Sequence, residues 1–325
     1  MPEADRRLRI GTRASRLALW QTQAVMDALY ARRPGLLVER VPISTIGDRI
    51  TDVPLPRIGD KGVFTRELED GLREATIDLA VHSLKDLPTE QPHGLALGAV
   101  LERDDPRDAL VAASPTGLAM LAPGSRVGTS SLRRRAQLLA ARPDLDVRDL
   151  RGNVPTRVDT ILRRDLDAAV LALAGLKRLD LTGHVCEILS PQVMLPAPGQ
   201  GAMAVQLRAD DASALALLAT LDHAPTRLAT SAERALLGHL EGGCQVPVGA
   251  LALIATDGVM TLEAIVASLD GRRAIRRSAS ARVSTEEDAL AFGRVLGEQL
   301  LADGAHSILR EVRRELPSPM PRGAA

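Results

Sequence analysis

The segment Glu241-Gly242-Gly243-Cys244-Gln245-Val246-Pro247 sets a cysteine between a glycine pair and a proline, just past a helical stretch. Glycine lets another group come close to the backbone, and a loop thiol of lowered pKa is a nucleophile. By itself the residue also fits a small buried hydrophobe, as Cys186 does in Val185-Cys186-Glu187. A second candidate is His82-Ser83-Leu84-Lys85-Asp86, after a strand-like run at 77–81. A carboxylate beside a cation at a strand end suits proton handling or the stabilisation of positive charge. An aspartate shaping a turn before Pro88 is the plainer alternative. The third feature is arginine density, with twelve basic residues against six acidic ones between Arg126 and Arg178. Arg133, Arg134, Arg151, Arg157 and Arg178 fall where strands should end and helices begin, and such ends converge on the ligand crevice of an open α/β sheet. The guanidinium fork meets carboxylate oxygens in pairs and stays charged, so the expected ligand is a polyanion. Gly128-Thr129-Ser130-Ser131 adds hydroxyls and backbone N–H groups at a helix start.

The elements that would position these groups alternate. Residues 8–10 read as a strand, followed by a helix with Ala18/Leu19, Val25/Met26 and Leu29 on one face and a stop at Pro34-Gly35. A strand at 36–43, a helix marked by Phe64, Leu68 and Leu72, and the strand at 77–81 continue the alternation, which predicts a parallel sheet with helices on its faces. The rhythm restarts near Val127. Thr129-Ser130-Ser131 opens a helix closed by Pro143, residues 145–150 are extended, and Asn153 caps a helix with Pro155 in its first turn. The apolar run 168–174 reads as a strand covered on both faces. After Pro225 a helix through Leu228, Ala232, Ala235, Leu236 and Leu240 leads to strand-like runs at 250–255, 262–269 and 273–283, separated by Asp257-Gly258 and Asp270-Gly271. Helices at 286–301 and 307–316 close the chain.

A chain of 325 residues exceeds one small core. Its 41 basic and 41 acidic residues cancel, which argues against a general polyanion binder. Trp20, Tyr30, Phe64 and Phe292 are the only aromatics, too few for base-stacking platforms, so nucleic acid is not an expected partner. Cys186 and Cys244 cannot build a disulfide framework, and no Cys/His spacing suggests a metal. The start of the chain is charged and carries no apolar signal region, and no run of apolar residues is long enough for a membrane span. A cytoplasmic protein without a membrane partner is expected.

Taken in order, several strings resemble those of the porphobilinogen deaminase (hydroxymethylbilane synthase) family. They are Gly11-Thr12-Arg13-Ala14-Ser15, Gly59-Asp60-Lys61-Gly62-Val63-Phe64, Ala80-Val81-His82-Ser83-Leu84-Lys85-Asp86-Leu87-Pro88 and Val127-Gly128-Thr129-Ser130-Ser131-Leu132-Arg133-Arg134. Leu150-Arg151-Gly152-Asn153-Val154, Ala174-Gly175-Leu176-Lys177-Arg178-Leu179, Pro198-Gly199-Gln200-Gly201 and the Cys244 segment complete the set, which spans nearly the whole chain. Arg57, where many relatives carry Lys, Asp60 and Pro198 depart from the common pattern.

The resemblance implies two periplasmic-binding-protein-like α/β domains plus a small C-terminal α+β domain with a three-stranded antiparallel sheet. The expected bounds are 1–101 with 202–220, then 107–195, then 224–316, with 317–325 as a tail. It implies a transferase that condenses four porphobilinogen molecules head to tail with loss of ammonia, on a dipyrromethane primer joined by a thioether to Cys244. Hydrolysis then releases the linear tetrapyrrole hydroxymethylbilane. Asp86 matches the catalytic aspartate. Ser83, Lys85, Asp86, Thr129, Ser131, Arg133, Arg134 and Arg157 should bind the cofactor, and Arg13, Ser15, Arg151, Arg157, Arg178 and Gln200 the substrate. Arg57, Lys61 and Phe64 should belong to a flap loop, and the family expectation is a monomer. A solute-binding protein closing two lobes over a carboxylated ligand explains the arginines, but not a third domain presenting a cysteine.

Overall fold

A computed structural model describes residues 7–49, 62–240 and 246–316 of the chain. Arg57, Lys61, Cys244 and the tail at 317–325 lie outside the described residues.

Two five-stranded sheets and one three-stranded sheet organise the described residues. The first sheet takes strands from two separate stretches: β1 (Leu8–Arg13), β2 (Val38–Ile43), β3 (Leu79–Ser83), β4 (Leu95–Val100) and, far downstream, β10 (Met203–Arg208). Their order is β2-β1-β3-β10-β4. Helix α1 (Arg16–Arg32) begins where the Ser15 hydroxyl accepts from the Ala18 amide, and it buries a stripe of Ala18, Gln21, Thr22, Val25 and Leu29. Helix α2 (Arg66–Arg73) covers the other face with Leu68 and Leu72 against Ile77 and Ala80.

The second sheet holds β5 (Asp108–Ala112), β6 (Arg126–Gly128), β7 (Asp146–Arg148), β8 (Ala168–Ala172) and β9 (Val185–Ile188), in the order β7-β6-β8-β5-β9. Helices α3 (Leu132–Ala141) and α4 (Val154–Leu162) open on Ser131 and Asn153, whose side chains accept from Arg134 N and Thr156 N. The apolar run expected as one strand to residue 174 divides: β8 ends at Ala172 and α5 (Leu173–Arg178) starts at once. Leu173, Ala174 and Leu176 are buried in that helix, so the run stays apolar across the change of structure.

Neither large sheet is wholly parallel. β10 runs antiparallel to β3 and β4, and β5 runs antiparallel to β8 and β9. Each is the strand laid down after the chain crosses between sheets, through residues 101–107 and back through 189–202. It therefore enters at the edge where β3, β4 and β8 end.

Helix α6 (Ala212–Ala219) packs beside β4 and β10. The C-terminal unit is the antiparallel sheet β11 (Val248–Ile254), β12 (Val259–Ala267) and β13 (Ala274–Arg282), covered by α7 (Ala224–His239), α8 (Glu286–Leu300) and α9 (His306–Glu315). Gly293 lets α8 lie directly on α7, because a Cβ there would collide with the Ala232 carbonyl.

Candidate active site

β3 and β8 end facing each other across the cleft between the two sheets. β3 delivers Ser83 and then the tight turn Leu84–Asp86 with Lys85 and Asp86; β8 delivers Ala172 and then α5 with Arg178. A pocket of about 80 Å3 lies between them, lined by Ser83 and Lys85 from one side and Arg134, Arg157 and Arg178 from the other. Small residues at Ala172, Gly175 and Gly201 leave the room. Among the described residues, four cations and no carboxylate line this pocket.

Their charges are felt locally. Burial, and next the Arg134 charge, bring Lys85 down to about 8, against the opposing pull of Asp86 and Asp108. Burial, followed by Arg134 and Arg151, brings Arg157 down to about 10, with Asp86 acting the other way. Arg178 and Arg151 are lowered too, chiefly by burial. An anion entering this space would relieve repulsion among groups already short of water.

Behind the pocket sits a carboxylate that the sequence reading did not single out. Asp108, the first residue of β5, is fully buried. Arg133 Nη1 donates to its Oδ2 at 2.7 Å, Arg134 Nη2 to its Oδ1 at 2.8 Å, and Gln200 Nε2 to the same Oδ1 at 2.9 Å. Burial raises the carboxyl, but the two guanidinium charges and their hydrogen bonds outweigh it and hold the group well below the usual carboxylate range. Gln200 also accepts from Lys85 Nζ at 3.2 Å, so one amide ties the first lobe's cation to the second lobe's buried ion cluster. Its loop is shaped by Gly201, whose φ is +91° and where a Cβ would run into the Asp104 carbonyl. Asp108→Asn leaves two guanidinium groups facing each other in the interior. We expect it to cost about 3–5 kcal/mol, measured as a lowered urea midpoint with unchanged slope.

The chain matches two family models, "Porphobilinogen deaminase, dipyromethane cofactor binding domain" over residues 8–216 and "Porphobilinogen deaminase, C-terminal domain" over residues 227–302. Curated relatives named porphobilinogen deaminase include those of Trichlorobacter lovleyi, 48% identical over 96% of this chain and 99% of the relative, and Moorella thermoacetica, 51% identical over 95% and 97%. The chain belongs to the porphobilinogen deaminase family. Among solved structures, the periplasmic VFT2 domain of Bordetella pertussis BvgS overlaps 66% of this chain and 86% of its own at 15% identity and a TM-score of 0.42, too loosely to bear on function.

Of the residues that the porphobilinogen deaminase pattern singles out, Ser83, Lys85, Arg134, Arg157 and Arg178 meet at the pocket. Asp86 is half-buried in the turn beside it and favours the charged forms of Lys85 and Arg157. Ser131 and Thr129 form the opening of α3, with Thr129 Oγ1 accepting from the Ser131 amide at 3.2 Å. Arg133 does not line the pocket; it turns inward to Asp108 and the Leu195 carbonyl, and its buried Nε has no acceptor among the described residues. Arg178 donates to Gly201 O at 2.6 Å and sits over the Trp20 ring at 5.7 Å. Arg13 lies apart from the pocket lining. Its Nη2 meets Asp48 at 2.5 Å and its guanidinium lies 4.2 Å from the centre of the Phe64 ring. That joins the two described ends of the stretch containing Arg57 and Lys61. The Ser15 hydroxyl accepts from the Ala18 amide at the start of α1, which leaves its O–H to donate, and nothing in the local sequence marks Asp48 or Asp108.

Proposed function

We propose that this chain catalyses the porphobilinogen deaminase reaction: head-to-tail condensation of four porphobilinogen molecules with loss of ammonia, then hydrolytic release of hydroxymethylbilane. The observation that carries the reading is a cleft pocket walled, among the described residues, by four cations and no carboxylate. Porphobilinogen bears an acetate and a propionate, and each added ring brings two more negative charges. A neutral cleft would face mounting repulsion.

The residues fit a dipyrromethane, the cofactor named by the matching family model. Lys85, Arg134, Arg157 and Arg178 offer donors to carboxylates in the pocket, and among the described residues no carboxylate of the lining competes for them. Lys85, Arg134, Ser83, Thr129 and Ser131 would hold its acidic side chains, while Arg133, turned inward, would act only by helping Asp108 hold the Arg134 guanidinium in place. When bound through Cys244, the dipyrromethane supplies the nucleophilic pyrrole carbon that begins the chain.

The protein's own groups do the rest. Arg157 and Arg178, with Arg151 and Gln200, would orient the incoming substrate by its carboxylates. Arg13 and Ser15 would act from the flap side. Asp86 would face the pyrrole N–H groups, stabilise the electron-poor cation left when ammonia departs, and accept the proton lost on bond formation. A preorganised charge of this kind is often the largest catalytic contribution. Each chain contains its own cysteine and cleft, so we place the reaction in a monomer. No described helix is long and apolar enough to cross a membrane, and we propose a cytoplasmic location.

The direct test is to supply porphobilinogen to the purified protein and follow ammonia together with the linear tetrapyrrole. Four equivalents of ammonia per tetrapyrrole are expected, and a protein that consumes no porphobilinogen would end the proposal. Arg157→Leu should lower kcat/KM by at least about 30-fold, the equivalent of about 2 kcal/mol. It should also accumulate covalent intermediates of discrete mass. Normal product release by that variant would clear Arg157 of a substrate role.

A further inference from the structure

Arg234 lies on α7, the helix that leads to Cys244, and is only 8% exposed. Its guanidinium reaches out of the C-terminal unit into the first lobe. Nη2 donates to Pro88 O at 2.6 Å and Thr89 O at 3.2 Å, while Nη1 donates to Leu87 O at 3.2 Å and Leu84 O at 3.4 Å. These carbonyls bracket Asp86 on both sides of its turn.

The opposite side of the turn is also held. Leu84 N donates to Ala202 O at 3.0 Å. A Cβ on Gly199 would lie 3.1 Å from Leu84 Cγ and 3.4 Å from Lys85 N, so the residue 199–202 segment presses directly against the turn. The joint between the first lobe and the C-terminal unit is tied again where His223 N donates to Val100 O at 2.9 Å. A groove of about 550 Å3 runs along it, bordered by Leu84, Thr89, Ser231, Arg234 and Glu286. Arg234 therefore spans a joint that packing does not fill. The residue type suits the task, because a planar, permanently charged fork can hold several carbonyls in fixed directions where an ammonium cannot.

We propose that Arg234 is a positioning residue: it locks the turn carrying Asp86 to the helix leading to Cys244, so that the catalytic carboxylate and the tethered primer share one frame. The inference rests on the roles given above to Asp86 and Cys244. It assigns Arg234 no contact with substrate.

The test uses the protein with its cofactor in place, checked by intact mass. Arg234→Gln should keep the cofactor mass and cooperative unfolding, leave KM within about twofold, and lower kcat by about 10²-fold, as a misplacement near 1 Å does. Arg234→Lys, which keeps charge and length, should recover part of that rate. If Arg234→Gln does not fold, a kcat loss at unchanged KM in Arg234→Lys carries the same reading. The decisive measurement is a double-mutant cycle with Asp86→Glu. Once the carboxylate is displaced by its own extra methylene, Arg234→Gln should cost less than about threefold. The full loss in both backgrounds would overturn the proposal, as would a rate loss that merely tracks missing cofactor or unfolded protein. A normal rate in Asp86→Glu would show that the position of the carboxylate is not critical and would overturn this inference, while the role of its charge stands or falls separately on Asp86→Asn.

Discussion

Asp86→Asn should lower kcat by about 10²–10³-fold, the range seen when one preorganised electrostatic group is removed, with thermal unfolding unchanged. The expectation follows from where the carboxylate sits. β3 is buried up to His82, and the turn Leu84–Asp86 then lifts Asp86 to the half-buried edge of a cationic pocket. It is not part of the buried ion cluster, where Asp108 supplies the charge that Arg133 and Arg134 need. The stability cost of neutralising Asp86 should therefore be small, and its catalytic cost large. Asn keeps the shape and the turn, but it removes the charge that would steady an electron-poor pyrrole and the base that would take its proton. Initial rates of ammonia release, with circular dichroism melting on the same samples, separate the two effects. A variant turning over near the normal rate would place the essential carboxylate elsewhere.

The contrast between Asp86 and Asp108 also shows what a sequence can carry. Local chemistry was legible: Ser131 and Asn153 cap the helices they were expected to cap, because capping depends on residues three apart. The strands that converge on the cleft were legible but their ends were not: β3 runs on to Ser83 and β8 stops at Ala172, inside an apolar run that shows no change of periodicity. Long-range pairing was not legible either. Arg133 and Arg134 read as equivalent, yet neighbours on a helix point about 100° apart. One therefore faces the pocket and the other turns into the interior. Their shared acceptor comes 25 residues earlier, at the head of an apolar strand where an aspartate looks misplaced until the sheet is assembled. Arg13 was grouped with Ser15 by the family resemblance, and no local pattern showed that it pairs with Asp48 in space. The direction of β5 and β10 was hidden for a related reason. Nothing within a strand records from which edge the chain entered the sheet.

Cys244→Ser should carry no adduct and show no detectable turnover, the largest effect of all. The native protein should exceed its polypeptide mass by two linked pyrrole units, and the serine variant should not. The difference is one of nucleophile: a thiol ionises readily enough to attack an electron-poor methylene carbon, whereas an alcohol without an activating base does not. Cys186 cannot stand in. It belongs to β9 in the second sheet, where its Sγ lies 3.8–4.0 Å from the carbonyl oxygens of His184, Ala112 and Ser114, away from the cleft pocket. Peptide mapping of the native protein should accordingly find the mass on the segment containing Cys244 alone. The helix α7 and the strand β11 flank that segment at His239 and Val248, fixing both ends to the C-terminal core. The primer would then be tethered to a rigid support while the two lobes supply charge. Turnover by Cys244→Ser without an adduct would leave the cationic cleft intact as a binding site. It would remove the reason for a third unit carrying a cysteine.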